Sequence, residues 1–175
     1  MTTDVNEFAT AVTDEAADEL GDALKKVRHC CDQLTAEQLW TQPCDGLNSI
    51  ANLVLHLCGN LRQWIVSGIG GAPDVRDRPR EFSARGSLSK TELLDKLATT
   101  VAEAQAALHA APADELLRSR RIQGFEVSGV RAMFESVAHF RGHTQEIVHI
   151  TRTLLGDDYR FDFVPQTPEQ GAPAG

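Results

Sequence analysis

Apolar residues recur every three or four positions along four long stretches of this chain. In the first, Val5, Phe8, Val12, Ala16, Leu20, Leu24, Val27 and Cys31 share one side of a helix predicted over residues 4–33. Gly21 weakens that helix without ending it. Thr35 and Gln38 fit a capping box opening a short turn, TAEQLW, and Pro43 and Gly46 mark a loop. Asn48 or Ser49 caps a second helix, SIANLVLHLCGNLRQWIVSG. Its apolar side holds Ile50, Leu53, Val54, Leu57, Leu61, Trp64 and Ile65, and Gly68, Gly70 and Gly71 stop it. Ser89 and Glu92 open a third helix to about Ala110, with Leu93, Leu94, Leu97, Val101, Ala104 and Leu108 inward. Ser128 starts the fourth, GVRAMFESVAHFRGHTQEIVHITRTLL, which Gly156 ends.

The connections carry less pattern. APDVRDRPREFSARGSL has no period and reads as a long irregular loop, with the charges of Arg76 to Arg85 in solvent. ADELL after Pro112 is a short turn. RRIQGFEVSG alternates weakly and is an extended connection at most, so no strand is expected with conviction. Phe161 and Phe163 are expected to dock on the body before the tail PQTPEQGAPAG. The fold class is therefore all-α: a four-helix bundle with a long loop between helices 2 and 3. One domain is expected over residues 1–164, followed by a flexible tail over 165–175.

Bulk properties narrow the function. The chain has 175 residues, enough for one domain with a real core. Its formal net charge of −8 leaves no basic face for nucleic acid. The acidic N-terminus is not a signal peptide, and no apolar run is long enough to span a membrane. A cytoplasmic protein is expected. Cys30, Cys31, Cys44 and Cys58 form no C-x-x-C pair and read as reduced, mostly structural thiols.

The candidate chemistry lies in HFRGHTQEIVHI. His139 and His143 are one helical turn apart, with Cβ atoms about 6 Å from each other on one face. His56, on the second helix, can complete a triad of metal ligands. Residues advance about 100° each along a helix. Glu135, His139, His143 and Glu146 then share a narrow sector of the fourth helix, and Asn52, His56, Asn60 and Gln63 a stripe of the second. Two polar seams buried apart would leave many groups unpaired, whereas seams facing each other around an ion would not.

In that arrangement Glu135 and Glu146 can accept a ring N–H or act as a base, and Asn60 and Gln63 can orient a substrate or water. Imidazole ligands suit zinc, nickel, iron or copper. Phe140 stands where a metalloprotease H-E-x-x-H would carry glutamate. Spacing alone leaves two readings open: one metal centre, or three unrelated histidines.

Trp40 to Pro43 (W-x-x-P), Ser49 to Trp64 (S-I-x-x-L-x-x-H-L-x-G-N-x-x-x-W) and the later H-x-x-x-H-T-Q together resemble the DinB superfamily over about residues 4–160. The resemblance implies a four-helix fold and a divalent metal, commonly zinc or nickel, on the positions matching His56, His139 and His143. It also implies a reaction class for some members, thiol-dependent transfer or isomerisation with a low-molecular-weight thiol, and frequent homodimers. A small-molecule substrate and a metal-dependent enzyme are the expectations that follow. A metal-dependent hydrolase and a non-catalytic metal-stabilised binding protein are the alternatives.

Overall fold

The computed structural model describes residues 5–163, and in it the four long helices form where the spacing places them. They are α1 (Val5–Asp32), α3 (Ile50–Leu61), α5 (Lys90–His109) and α7 (Gly129–Leu155). Short helices α2 (Ala36–Trp40), α4 (Arg78–Ser83) and α6 (Ala113–Leu117) lie in the connections. The expected tail, residues 165–175, lies outside the described residues, as do 1–4 and 164.

The boundaries follow from capping chemistry. Thr35 with Gln38 and Ser89 with Glu92 form reciprocal capping boxes. Ser49 and Ser128 each accept a backbone N–H of the first turn, at 3.2 Å. Gly156 ends α7 with φ of +54°, a conformation costly for other residues.

Helix α1 packs on α5 and α7, and α3 packs on the same two, so α1 and α3 stand diagonally across the bundle. Leu20, Leu53, Leu57, Leu93, Leu97 and Phe140 are among the fully buried side chains between them. Placing α3 beside α7 is what allows His56 to meet the histidines of the last helix.

Three connections differ from expectation. After Leu61 the second helix widens into a π-helical turn, Arg62–Ser67, with Gly68 N–H bonded to the Gln63 carbonyl. RRIQGFEVSG is a β-hairpin, not a loose connection: β1 (Ser119–Ile122) pairs antiparallel with β2 (Phe125–Ser128). Its turn residues Gln123 and Gly124 both have positive φ, as a two-residue hairpin turn requires. Ile122 and Val127 are buried, and Arg120 bonds the Gly68 and Glu115 carbonyls, so the hairpin is sealed to the bundle.

The third difference is the long loop, which contains α4 and buries part of its charge. Glu81 is only 8% exposed and the Arg76 side chain 3%. A helix of six residues is too short to leave a period, and a buried ion pair looks like a solvated charge run in sequence.

Phe161 and Phe163 remain exposed rather than docked. That segment is tied instead through Asp162 to Lys26 and through the Arg160 carbonyl to His29, while the Phe161 ring leans on Tyr159. No described helix is long and apolar enough to cross a membrane.

Phe140→Ala empties a fully buried site and should cost about 3–5 kcal/mol of unfolding free energy. Urea denaturation of the metal-free protein measures it. A loss under about 1 kcal/mol would mean that α7 does not close the core as described.

Candidate metal centre

Leu53, Leu57 and Leu61 hold α3 in the core, and His56 sits beside them at 6% exposure. From α7, Ala132, Phe140 and Ile147 anchor the helix, which sets His139 and His143 half-buried on the neighbouring face. The three imidazoles converge. Ring centroids are 4.5 to 5.2 Å apart and the planes stand 76° to 90° to one another. One nitrogen from each ring lies within 4.8 Å of the others. His56 Nε2 and His139 Nε2 are 2.8 Å apart.

The opposite nitrogens of two of the rings have carboxylate partners. His56 Nδ1 donates to Glu81 Oε2 at 2.9 Å, and His143 Nδ1 donates to Glu146 Oε2 at 2.6 Å. Burial raises the Glu81 pKa, but hydrogen bonds from Arg76 and His56 outweigh it and hold this carboxyl below the usual carboxylate range. An ionised Glu81 accepts only, so the shared proton belongs to His56 Nδ1, and Nε2 is left with its lone pair. The His143 ring is likewise turned with Nδ1 toward a carboxylate, so Nε2 is its nitrogen on the side away from Glu146. Burial first, then the neighbouring His143 and His56 rings and the charges of Arg76 and Arg78, push His139 down to about 4. Outer nitrogens fixed by carboxylates, as in His56 and His143, are what a metal requires of its histidines.

Glu81 is itself held on several sides. Arg76 grips both its oxygens, Nε to Oε1 at 2.7 Å and Nη2 to Oε2 at 2.8 Å. Arg76 Nη1 donates to Gln63 Oε1 at 2.9 Å. The amide of Asn52, fully buried on α3, donates to the Glu81 and Ala84 carbonyls at 2.9 and 3.1 Å, pinning α4 in place. Gly59 makes room for the pair: a Cβ there would fall 1.8 Å from Glu81 Oε1 and 2.9 Å from Arg76 Nε. The Phe82 ring lies 4.9 Å from the His56 ring, and the Arg78 guanidinium stands over the Phe82 ring at 5.0 Å.

A cavity of about 190 Å³ opens beside the cluster, bordered by His56, Asn60, Trp64, Arg76, Arg78, Gln123, Glu135 and His139. The indole N–H of Trp64 is buried without a hydrogen-bond acceptor among the described residues.

The structure therefore brings His56, His139 and His143 together. Of the other candidates, Glu146 bonds a histidine, while Glu135 borders the cavity and pairs with Arg131 at 3.2 Å. Asn60 is buried and accepts a hydrogen bond from Ser136 at 2.9 Å. Gln63 is taken up by protein groups, donating to Asp74 and accepting from Arg76 and Gln123. Arg76 and Glu81, assigned to a solvated loop in the sequence, are central instead. Gly59, three residues beyond His56, was the available signal for a close approach. Cys58 stays outside the site, its thiol pushed up to about 11 by burial.

Three imidazoles without a carboxylate or thiolate among them can hold a divalent metal ion, and the donor chemistry suits a transition metal over calcium or magnesium. Three protein donors also leave positions open to other ligands.

The family model for the protein of unknown function DUF1572 matches residues 7–167, nearly the whole chain. The chain belongs to this family. Among solved structures, it is similar to a conserved protein from Enterococcus faecalis, 18% identical, over 83% of this chain and 98% of that one, with a TM-score of 0.71. It is also similar to a DinB-like protein from Bacillus cereus, 15% identical, over 75% of this chain and 85% of that one, with a TM-score of 0.61. No curated protein matches the chain. The all-α fold expected from the motifs is the fold observed, and it is the fold shared with the DinB-like protein.

Two outcomes follow from the site. Gly59→Ala should displace the Arg76–Glu81 pair and cost about 1–3 kcal/mol, whereas Gly142→Ala, on an open helix face, should stabilise by up to about 1 kcal/mol. Denaturation curves of the two variants measure the contrast, and equal effects would discount the close approach at Gly59.

The second concerns acid. The unfolded chain binds a proton at His139 near pH 6.5 and the folded chain only near 4, so stability is complete above 6.5 and declines as pH falls through that interval. Glu81, with its lowered pKa, adds a further decline below its ordinary value of 4.5. Melting temperatures of metal-free protein should fall from pH 7 to 4, and less steeply in His139→Leu.

Proposed function

We propose that this protein is a metal-dependent enzyme, with His56, His139 and His143 as ligands of one divalent ion, zinc or nickel. The observation that supports this most is the pair of carboxylates behind the cluster. Glu81 and Glu146 hold the outer nitrogens of His56 and His143, so that lone pairs face a shared point. The bond to Glu81 also satisfies a buried carboxylate, but the convergence of all three rings on one point is what a metal site adds to it. A metal bound there would lower the pKa of a thiol or water beside it and so supply a nucleophile at neutral pH.

The chain's own groups then have defined tasks. Trp64 and Phe82 give the centre apolar walls, limiting the access of bulk water. Asn60 and Glu135 border the cavity and would orient a small substrate, while the Gln123 amide, also at the cavity, is committed to Gln63. Glu135 is the group placed to take up a proton from the incoming nucleophile, because Glu81 and Glu146 already serve the histidines. We favour a low-molecular-weight thiol as the nucleophile and an electrophilic small molecule as its target: the new bond to sulfur would form as the electrophile's leaving group departs with its bonding pair, and the thiol proton would pass to Glu135. The hydrolytic alternative rests on the same Glu135, with water in place of the thiol. A non-catalytic reading would gain from a fourth protein ligand, and Glu146 is bonded to His143 Nδ1 instead.

Elemental analysis and titration with zinc and nickel should give one ion per chain in the native protein and almost none in His139→Ala. Native protein should turn over a model electrophile only when metal and thiol are both supplied. His139→Ala should lose at least about 100-fold, because removing only an outer partner of a ligand already costs about 10–100-fold. Thiol-independent turnover would select hydrolysis, and equal rates with and without metal would remove the enzymatic reading.

A further inference from the structure

A second and larger cavity, about 540 Å³, lies on the other side of the Arg76–Glu81 pair. Its floor is a different stripe of α3, Leu55, Cys58 and Gly59, displaced about 100° round the helix from His56 and Asn60. The loop over residues 72–77, α4 and Leu88 close over it, and Lys96 of α5 stands at its edge. The size falls within the usual range for small-molecule sites, about 300–1,000 Å³.

The lining has a definite chemistry. Leu55, Val66 and Leu88 supply apolar wall, and Val75 stands exposed at the lip. Every acid bordering the space is engaged by the protein itself. Asp74 accepts from Gln63 and from the Arg76 backbone, Asp77 caps α4, and Glu81 is held by Arg76 and His56. Among the cations, Arg76 is spent on Glu81 and Arg62 on Glu103. Arg80 and Lys96 have no ion-pair partner among the described residues, and both are exposed at the rim. Arg80 and Lys96 thus offer N–H donors that no described carboxylate of the protein occupies, whereas the Asp74 and Asp77 carboxylates already accept protein donors, and free cationic donors beside an apolar hollow suit a negative head on an apolar body.

We propose that this cavity binds a small anionic amphiphile, a medium-chain carboxylate, with its chain against Leu55, Val66 and Leu88 and its head between Arg80 and Lys96. The site is separate from the three histidines, sharing with them only the Arg76–Glu81 wall, and it does not rest on their binding a metal.

The test is calorimetric titration of the full chain with sodium decanoate, as purified and after metal removal. Saturable one-site binding is expected in both. Decyltrimethylammonium should bind at least tenfold more weakly. The double variant Arg80→Ala/Lys96→Ala should lose at least tenfold in affinity, and Leu55→Trp, which fills the hollow, should lose it with the cooperative melt retained. His139→Ala should bind as the native protein does, so failure of the metal reading and failure of this one are distinguishable. The proposal is overturned by absence of saturable binding, by unchanged affinity in both cavity variants, by equal binding of the cationic amphiphile, or by loss of binding in His139→Ala.

Discussion

The hydrogen bond from His56 to Glu81 is the interaction on which the rest of the structure turns. A carboxylate with 8% exposure is costly to leave unpaired, and its desolvation has to be offset locally. Arg76 does this with two parallel hydrogen bonds, and the His56 ring completes the set. The arrangement obliges the loop between α3 and α5 to fold back over the bundle, because Arg76 and Glu81 reach His56 only from there. The short helix α4, the Asn52 clamp and the bare Cα of Gly59 all follow from that requirement. Burying an ion pair is weak evidence for stability in general. Here the pair fixes which nitrogen of a histidine faces its neighbours, a more specific result than stability.

How far this was legible in the sequence depends on the length scale of each feature. Helices of 20 or more residues repeat their apolar positions many times, so α1, α5 and α7 could be read directly, and their caps at Ser89, Ser128 and Gly156 fell where expected. The i, i+4 spacing of His139 and His143 is local and was equally visible. The approach of His56 is a tertiary fact, and spacing alone could not separate it from coincidence. The motif resemblance supplied what periodicity lacked.

What the sequence hid, it hid for physical reasons. Helix α4 has six residues and the hairpin strands four each, too short for a period to emerge. Arg76 and Glu81 were misread because charge in a sequence signals solvent unless the partner is known, and the partner here is a histidine 25 positions from Glu81. The π-helical turn was invisible for a different reason. RQWIVS has an ordinary helical composition, and the extra residue per turn shows only in which carbonyl each N–H selects.

The hairpin joins this account through one residue. Gln123 occupies a left-handed position, φ +51°, where glycine or asparagine would sit with less strain. A shorter asparagine would extend less far from the turn. The glutamine amide reaches Gln63 Oε1 at 2.5 Å, the same oxygen that accepts from Arg76 at 2.9 Å. Both lone pairs of that oxygen are then in use, so Gln63 is fixed from two directions. Polar contacts run without a break from the exposed turn through Gln63, Arg76 and Glu81 to the ring of His56. The strain at the turn is thus tied to the outermost support of the histidine cluster, and the hairpin belongs to the site rather than to the periphery of the bundle.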